Sequence, residues 1–149
     1  VGLGNIGKKV FNLTSPIFNV ETFDILSNSL DELDDKLKLS DFVTLHIPLN
    51  DQTYHFMNEN RLSKLKNKCC LINTSRGQIV DEDALYNELE SKRIFAALDV
   101  FSKEPYVGKL NSIKGNLIKT PHIASSCIGF YDGLANDFIK FYKKINESY

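Results

Sequence analysis

The sequence lacks an excess of charge of either sign, because 18 lysines and arginines are balanced by 19 aspartates and glutamates, for a formal net charge of -1. Without a basic field it has little to attract nucleic acid or an anionic membrane surface, and we expect neither as a partner. It also lacks any apolar run of the roughly 18 to 20 residues that a membrane-spanning helix needs, and its first residues lack a signal-peptide pattern. We therefore expect neither a membrane protein nor a secreted one.

Cysteine is scarce and odd in number, with Cys69, Cys70 and Cys127. The adjacent pair lies in an apolar run without metal-ligand spacing, so we predict no metal site. Buried, reduced thiols are typical of the cytosol, and we expect a cytoplasmic protein.

The remaining composition is typical of a folded domain, since 42% of the residues are hydrophobic and 25% are charged. These values exclude intrinsic disorder and allow a real core. No repeat, low-complexity tract or linker divides the chain, so we predict one domain over residues 1–149. The first residue is Val1 rather than methionine, and it adjoins a glycine-rich turn. We expect from this a fragment whose preceding residues are absent.

Short β-type runs alternate with helix-type segments, which is typical of an α/β fold with a parallel sheet covered on both faces. The third run is continuously apolar, as expected for a central strand. We predict five strands, at Val20–Phe23, Phe42–Ile47, Cys69–Asn73, Phe95–Val100 and Asn116–Lys119. Ser29, Asn58 and Asp81 are predicted to begin helices, the second of which runs through Leu65. A last helix is predicted from about Gly129 to Ile145, where apolar residues form one stripe.

The segment Gly2-Leu3-Gly4-Asn5-Ile6-Gly7 matches the pattern G-x-G-x-x-G. In dinucleotide-binding domains these glycines allow a tight turn, close approach of a pyrophosphate and close packing of a helix on a strand. Asp24 ends the next predicted strand, where a carboxylate can accept hydrogen bonds from the adenosine ribose. No arginine follows Asp24 to bind a 2'-phosphate, so NAD is favoured over NADP. The alternatives are a plain glycine turn and a solvated turn carboxylate.

Further segments follow in order along the chain: Ser40-Asp41-Phe42-Val43-Thr44-Leu45-His46-Ile47-Pro48-Leu49, Leu71-Ile72-Asn73-Thr74-Ser75-Arg76-Gly77, Ala97-Leu98-Asp99-Val100-Phe101, Glu104-Pro105 and Thr120-Pro121-His122-Ile123-Ala124. With the glycine turn, they resemble the D-isomer-specific 2-hydroxyacid dehydrogenases over nearly the whole chain. The resemblance implies a doubly wound, Rossmann-like parallel sheet whose first central strand is truncated here. It also implies a homodimer and a second, substrate-binding domain that this chain lacks.

The resemblance implies a set of contacts to NAD as well. His46 and Pro48 fall in its adenine-side loop, and Asp99 is better interpreted as a contact to the nicotinamide carboxamide than as a second general base. No carboxylate in a family-like segment is expected to pair with His46 or His55. We therefore interpret these two histidines as structural. The implied cofactor contacts are Gly2, Gly4, Asn5, Ile6, Gly7, Asp24, His46, Pro48, Thr74, Ser75, Arg76, Asp99 and His122.

Reduction of a 2-oxo acid needs a hydride at the carbonyl carbon, a proton at its oxygen and a cation that holds the carboxylate. The planar fork of Arg76 would hold the carboxylate. His122 would give the proton in reduction and take it back in oxidation, because imidazole titrates near neutrality. Glu104 would hydrogen-bond His122, fix its tautomer and favour the imidazolium. The alternatives are a structural arginine, a structural histidine and a solvated glutamate.

We therefore interpret the chain as the NAD-binding part of an NAD-dependent dehydrogenase that acts on a small 2-oxo or 2-hydroxy acid. An NAD-sensing corepressor or a silent regulatory relative that binds protein partners is the alternative, because a scaffold never proves activity.

The strand that leads into the glycine turn lies inside the sheet of a doubly wound fold, and only Val1 remains of it. We expect the strands at Val20–Phe23 and Cys69–Asn73 to flank this gap and to expose backbone hydrogen-bonding groups. The chain made alone is therefore predicted to fold poorly and to be catalytically silent.

We predict that the complete protein binds NADH more tightly than NADPH, since a ribose-binding carboxylate at Asp24 repels a 2'-phosphate. Fluorescence titration with both nucleotides measures the preference, and Asp24→Ala is expected to narrow it. Equal or tighter binding of NADPH by the unaltered protein would contradict the prediction.

Overall fold

The computed structural model describes residues 1–126 together with residues 129, 135, 136 and 139. Its strands pair side by side in chain order, and every pairing is parallel. The predicted parallel α/β fold is thereby confirmed. The strands are β1 (Phe42–Leu45), β2 (Cys70–Asn73), β3 (Phe95–Leu98) and β4 (Leu117–Lys119).

Three of the described helices follow the capping signals of the sequence. The side chains of Ser29, Asn58 and Asp81 each accept a hydrogen bond from the first turn of the helix that follows, as predicted. Most of the predicted tail helix, from Gly129 to Ile145, lies outside the described residues. Within the described residues no helix is long and apolar enough to cross a membrane. The described α-helices of six or more residues are α1 (Asn5–Thr14), α2 (Leu30–Leu39), α3 (Glu59–Lys64) and α4 (Glu82–Glu90).

The core lies on one face of the sheet. Val43, Leu71 and Ala96 are neighbours in register across β1, β2 and β3, and all three are buried. They belong to one cluster with buried leucines of the helices: Leu33 and Leu37 of α2, Leu62 of α3, and Leu85 and Leu89 of α4. Because side chains alternate along a strand, the next residues point to the opposite face.

By the described residues, that opposite face is less covered than the sequence predicted. Phe42 and Ile118 are 64% and 69% exposed, and Cys70 and Ile72 of β2 are only half-buried. β2 is nevertheless an inner strand, paired with β1 on one side and β3 on the other, as its apolar sequence predicted.

The predicted strand Val20–Phe23 is wrong, because this segment forms no ladder in the described chain. The Phe23 carbonyl accepts one hydrogen bond, 2.7 Å from the Gly2 nitrogen. A strand needs a run of paired residues, whereas the ladder hydrogen bond of this segment is the single one to Gly2 within the described residues.

Of the two segments predicted to flank Val1, the strand at Cys69–Asn73 is wrong. The Val1 nitrogen donates to the Thr44 carbonyl and the Val1 carbonyl accepts from the His46 nitrogen, each at 2.8 Å. β1 therefore lies beside Val1, whereas β2 has no free edge because β1 and β3 use both of its sides.

We predict that Leu71→Ala lowers the free energy of unfolding by about 2–5 kcal/mol, because Leu71 is fully buried in β2 and its truncation leaves a cavity. Denaturant titration of the complete protein measures the change. Ile118→Ala, on the exposed face of β4, is the control and should change it by only about 0.5 kcal/mol. Equal effects of the two substitutions would show that the core lies elsewhere.

Candidate active site

Three parallel strands end together at one edge of the sheet. Asn73 at the end of β2 is in register with Leu98 of β3, and Leu98 is in register with Lys119 of β4. Ligands of open α/β sheets bind outside this carboxyl edge. The segments that follow the three strands carry Arg76, Glu104 and His122 to this edge.

Asn73 fixes the turn that carries Arg76. It is 1% exposed, its Oδ1 accepts from the Ser75 nitrogen at 3.0 Å, and its Nδ2 donates to the Arg76 carbonyl at 2.9 Å. The Ser75 hydroxyl donates to the Leu45 carbonyl of β1, which ties the turn to the sheet. Arg76 itself is exposed, and its Nη1 donates to the Ser75 carbonyl at 2.6 Å. The guanidinium thus projects from a fixed backbone.

Glu104 and His122 form a direct pair. Glu104 Oε2 lies 2.7 Å from His122 Nδ1, and Oε1 accepts from the Phe101 nitrogen at 3.0 Å. The hydrogen bonds from His122 and from the Phe101 N–H hold the pKa of Glu104 below its ordinary value. The carboxylate therefore stays ionised beside the imidazole, with both of its oxygens used.

Asp99 holds the turn that carries His122. Its side-chain oxygens accept hydrogen bonds from the Thr120 hydroxyl and from the nitrogens of Ile123 and Ala124, the latter two at 2.9 and 2.8 Å. Its carbonyl accepts from the His122 nitrogen at 2.9 Å. Burial alone raises the pKa of Asp99, but the hydrogen bonds from Thr120 and the two backbone N–H groups outweigh it, so the pKa is lowered.

His122 needs that support because its backbone is left-handed, with φ of +55°. A side chain with a Cβ enters this region only at a cost in energy. The four hydrogen bonds centred on Asp99 compensate for this conformation.

The three predicted catalytic residues come together at one cleft. Arg76, Glu104 and His122 all line it, with Leu49, Gln78 and Phe101 among the other lining residues. A small carboxylic acid in this cleft would meet a cation, a proton donor and apolar side chains.

The glycine turn has the shape that a pyrophosphate needs. A Cβ on Gly2, where φ is +89°, would lie 2.5 Å from the His46 carbonyl oxygen, and one on Gly7 would lie 1.9 Å from the Gly2 carbonyl oxygen. Nothing lies within 4 Å of the corresponding position on Gly4, so this turn is open on its outer side. His46 lies against the turn, and its Nε2 pairs with the Thr44 hydroxyl at 3.0 Å.

α1 also begins in a way that suits an anion. Its first turn holds no acidic residue and its N-cap, Gly4, supplies no side-chain hydrogen bond, whereas α2 and α4 have both. The N–H groups of Asn5, Ile6 and Gly7 therefore have no side-chain partner from the cap, and they lie at the positive end of the helix dipole. These residues fit the pyrophosphate of a dinucleotide.

Asp24 lies beside the turn, where its Oδ2 accepts from the Leu3 nitrogen at 2.8 Å and its Oδ1 from the Leu26 nitrogen at 3.0 Å. These two backbone hydrogen bonds hold the pKa of Asp24 below its ordinary value. A carboxylate has about four acceptor positions, so capacity for two ribose hydroxyl groups remains.

Residues 1–124 match the family described as D-isomer specific 2-hydroxyacid dehydrogenase, NAD binding domain. The chain belongs to this family. It is 37% identical over 146 residues to a glyoxylate reductase of Pyrococcus horikoshii, a match that covers 91% of this chain and 44% of the reductase. This NAD-binding domain also resembles two solved structures.

The first is D-lactate dehydrogenase from Aquifex aeolicus complexed with NAD and lactic acid, with a TM-score of 0.79 and 31% identity over 99% of this chain and 52% of that one. The second is a D-isomer specific 2-hydroxyacid dehydrogenase from Xanthobacter autotrophicus Py2 in complex with NADPH and MES, with a TM-score of 0.61 and 38% identity over 64% of this chain and 32% of that one. The chain spans about half or less of the length of these relatives. The match confirms the predicted fold class and NAD-binding family.

Sequence reasoning missed two residues that position the site of this NAD-binding domain. Asn73 pins the arginine turn, and Thr120 completes the ring of donors around Asp99. The available signal was a polar residue at a strand end, since Asn73 is the last residue of β2 and Thr120 directly follows β4. The predicted contact of Asp99 to nicotinamide remains a prediction.

His55 is placed outside the residues that line the cleft. Its Nδ1 lies 3.7 Å from Asp81 Oδ2 and its ring stacks on Tyr54 with centroids 4.1 Å apart. The interpretation of His55 as structural agrees with these contacts.

We predict that Asp99→Asn lowers the free energy of unfolding by about 1–3 kcal/mol at neutral pH, because one of the part-buried N–H groups of Ile123 and Ala124 loses its acceptor. Since the pKa of Asp99 is lowered on folding, its contribution is present above the ordinary aspartate pKa and is lost as the pH falls through the folded value. Denaturant titrations at several pH values should show the variant approaching the unaltered protein in acid. Asp51→Asn, at an exposed position, is the control, and an equal loss in both variants would contradict the assignment.

Proposed function

We propose that the complete protein is an NAD-dependent dehydrogenase that interconverts a small 2-oxo acid and a D-2-hydroxy acid. The observation that carries the proposal is the convergence of Arg76 with the Glu104–His122 pair on one cleft at the carboxyl edge of the sheet. The naming of a relative as a glyoxylate reductase supports this substrate class.

Arg76 binds the substrate carboxylate in this proposal. Its guanidinium presents parallel N–H donors that match the two oxygens of a carboxylate, and the turn pinned by Asn73 fixes where the side chain starts. A bound carboxylate at this point orients the adjacent 2-oxo group toward the rest of the cleft.

His122 supplies the proton to the 2-oxo oxygen through its Nε2, because Nδ1 is engaged by Glu104. The ionised Glu104 stabilises the protonated imidazole by charge and by orientation. Bound NADH would supply the hydride to the carbonyl carbon. In the reverse direction His122 takes the proton from the hydroxyl group.

The substrate-binding domain belongs to this proposal too. The cleft lies at the surface, with His122 46% and Glu104 36% exposed as side chains. A second domain over the carboxyl edge would exclude water and add contacts that select the acid. We propose that the described residues are the nucleotide-binding part of such a two-domain protein.

We also propose that the protein is cytosolic, where cysteines stay reduced, and that it forms a homodimer. Cys69 is free and buried, and burial raises the pKa of its thiol to about 12, so it is an unreactive core residue rather than half of a disulfide. The homodimer rests on the family resemblance, and light scattering of the complete protein tests it.

The corepressor alternative is not favoured. Relatives are named as reductases and dehydrogenases, and the side chains needed for chemistry lie together here. A regulator would need neither the imidazole nor its carboxylate partner.

Absorbance at 340 nm of the complete protein with NADH and a panel of glyoxylate, hydroxypyruvate and pyruvate tests the proposal. We expect saturable NADH oxidation with at least one acid and formation of the D-hydroxy product. NADH binding without turnover of any 2-oxo acid would overturn the enzymatic function and would favour the corepressor alternative.

We predict that His122→Gln lowers kcat by about 10²-fold or more, the usual effect of losing a positioned proton donor. His55→Gln is the matched control, since His55 lies outside the lining of the cleft, and it should leave kcat within about 2-fold. Similar losses in the two variants would contradict the assignment of His122.

We predict that Arg76→Lys raises KM for the 2-oxo acid strongly while KM for NADH changes little, because a lysine cannot offer two parallel donors. Arg61→Lys is the matched control, because Arg61 stacks on Phe56 away from the cleft. An unchanged KM for the acid would remove Arg76 from substrate binding.

We predict that Glu104→Gln moves the alkaline limb of the pH–rate profile for reduction to lower pH. The variant lacks the negative charge that favours the protonated imidazole, so the proton donor is lost at lower pH. Glu21→Gln, at an exposed site, is the control. An unchanged limb would show that Glu104 does not govern His122.

A further inference from the structure

The loop that carries Glu104 is held from a second side by α4. The Ser102 nitrogen donates a 2.6 Å hydrogen bond to Oε1 of Glu82 in the first turn of that helix. Bonds from a backbone N–H to a carboxylate are short and roughly twice as strong as neutral ones. Glu82 is half-buried and 20 residues from Ser102 in sequence, so the bond joins two elements rather than stabilising a local turn.

A close backbone approach fixes the same loop. A Cβ built on Gly77 would lie 1.9 Å from the Phe101 carbonyl carbon and 2.4 Å from the Ser102 nitrogen. The turn after Arg76 therefore lies directly against the peptide between Phe101 and Ser102. Gly77 packs against one side of that peptide, and the peptide N–H donates to the Glu82 carboxylate.

The position of this peptide determines where Glu104 points. The carboxylate of Glu104 accepts from the Phe101 nitrogen at 3.0 Å, so it is anchored to the residue that Gly77 contacts. The Glu104 and His122 side chains are more than one third exposed and have little packing to hold them. Displacement of the loop would lengthen the 2.7 Å contact between them.

We infer that Glu82 is a positioning residue for the proton relay: through the Ser102 N–H it holds the 101–104 loop against Gly77 and so keeps Glu104 on His122. Glu82 touches neither substrate nor the reacting atoms. The inference rests on the proposed dehydrogenase function for its kinetic readout, and it has a second readout that does not need activity.

Glu82→Asp and Glu82→Gln separate this role from a charge effect. Aspartate keeps the negative charge at the start of α4, where it favours the helix, but is shorter by one methylene, about 1.5 Å, and cannot reach Ser102. Glutamine loses the charge but keeps an oxygen at the same distance. Asp83→Asn, next in sequence and paired with Lys109, is the matched control for charge in this turn.

We expect Glu82→Asp to lower kcat by about 10-fold or more, since misplacement by about 1 Å can cost up to about 10²-fold. Its KM for NADH should stay unchanged and its alkaline pH limb should move to lower pH, as in Glu104→Gln. Glu82→Gln should rescue most of kcat, and Asp83→Asn should match the unaltered protein. A Glu82→Asp variant that matches the unaltered protein, or a Glu82→Gln variant that is the more impaired of the two, would overturn the inference.

Carboxyl-carbon NMR of Glu104 and amide exchange of Ser102 test the same inference without turnover. In Glu82→Asp the pKa of Glu104 should rise toward its ordinary value, because the hydrogen bonds from His122 and Phe101 that lower it are loosened, and the Ser102 amide should exchange faster. Asp99 is the other charged group that acts on Glu104, and it is unchanged in these variants. Unchanged titration and exchange would overturn the inference, whereas an inactive unaltered protein with these shifts would overturn only the proposed function.

Discussion

The site depends on the register of three parallel strands at their carboxyl ends. The hydrogen bonds from the Asp99 nitrogen to the Asn73 carbonyl and from the Thr120 nitrogen to the Leu98 carbonyl, both 3.0 Å, continue this register past the strands. Because the strands end at the same level, the loops that follow them start side by side. A slip of one residue in either pairing would turn every side chain to the other face and separate the loops.

Each loop at this edge is then fixed by a buried or half-buried polar side chain. Asn73 holds the turn of Arg76, Asp99 holds the turn of His122, and Glu82 holds the loop of Glu104. Arg76, Glu104 and His122 are exposed, whereas Asn73 and Asp99 are buried and Glu82 is half-buried. This division lets a substrate reach the cleft without loss of the geometry on which proton transfer depends.

The local features of the fold were predictable because short stretches of sequence determine them. The caps at Ser29, Asn58 and Asp81 and the apolar strand at Cys70–Asn73 need only their neighbours in sequence. The segment Val20–Phe23 has strand-like composition, but a strand exists only with a paired neighbour. That β1 rather than β2 lies beside Val1 is a matter of spatial order, which periodicity does not encode.

The candidate site divides in the same way. Arg76, Glu104 and His122 were predicted because family-like segments carry them, and the structure brings them to one cleft. Asn73, Thr120 and Glu82 act through hydrogen bonds that depend on the turn geometry or on pairing between distant segments, as in the 20-residue separation of Glu82 and Ser102. The segments that contain Asn73 and Thr120 do not reveal which backbone groups these side chains bind, and Glu82 lies in none of those segments.

The most direct test of the account is a crystal structure of the complete protein with NADH and oxamate, an unreactive analogue of a 2-oxo acid. The account predicts the oxamate carboxylate in a paired contact with the Arg76 guanidinium and its amide carbonyl oxygen within hydrogen-bond distance of His122 Nε2. It also predicts that Glu104 still forms its hydrogen bond with His122 Nδ1 and that the pyrophosphate lies at the first turn of α1. Oxamate bound away from Arg76, or His122 turned away from it, would contradict the central claim that these three loops form one active site.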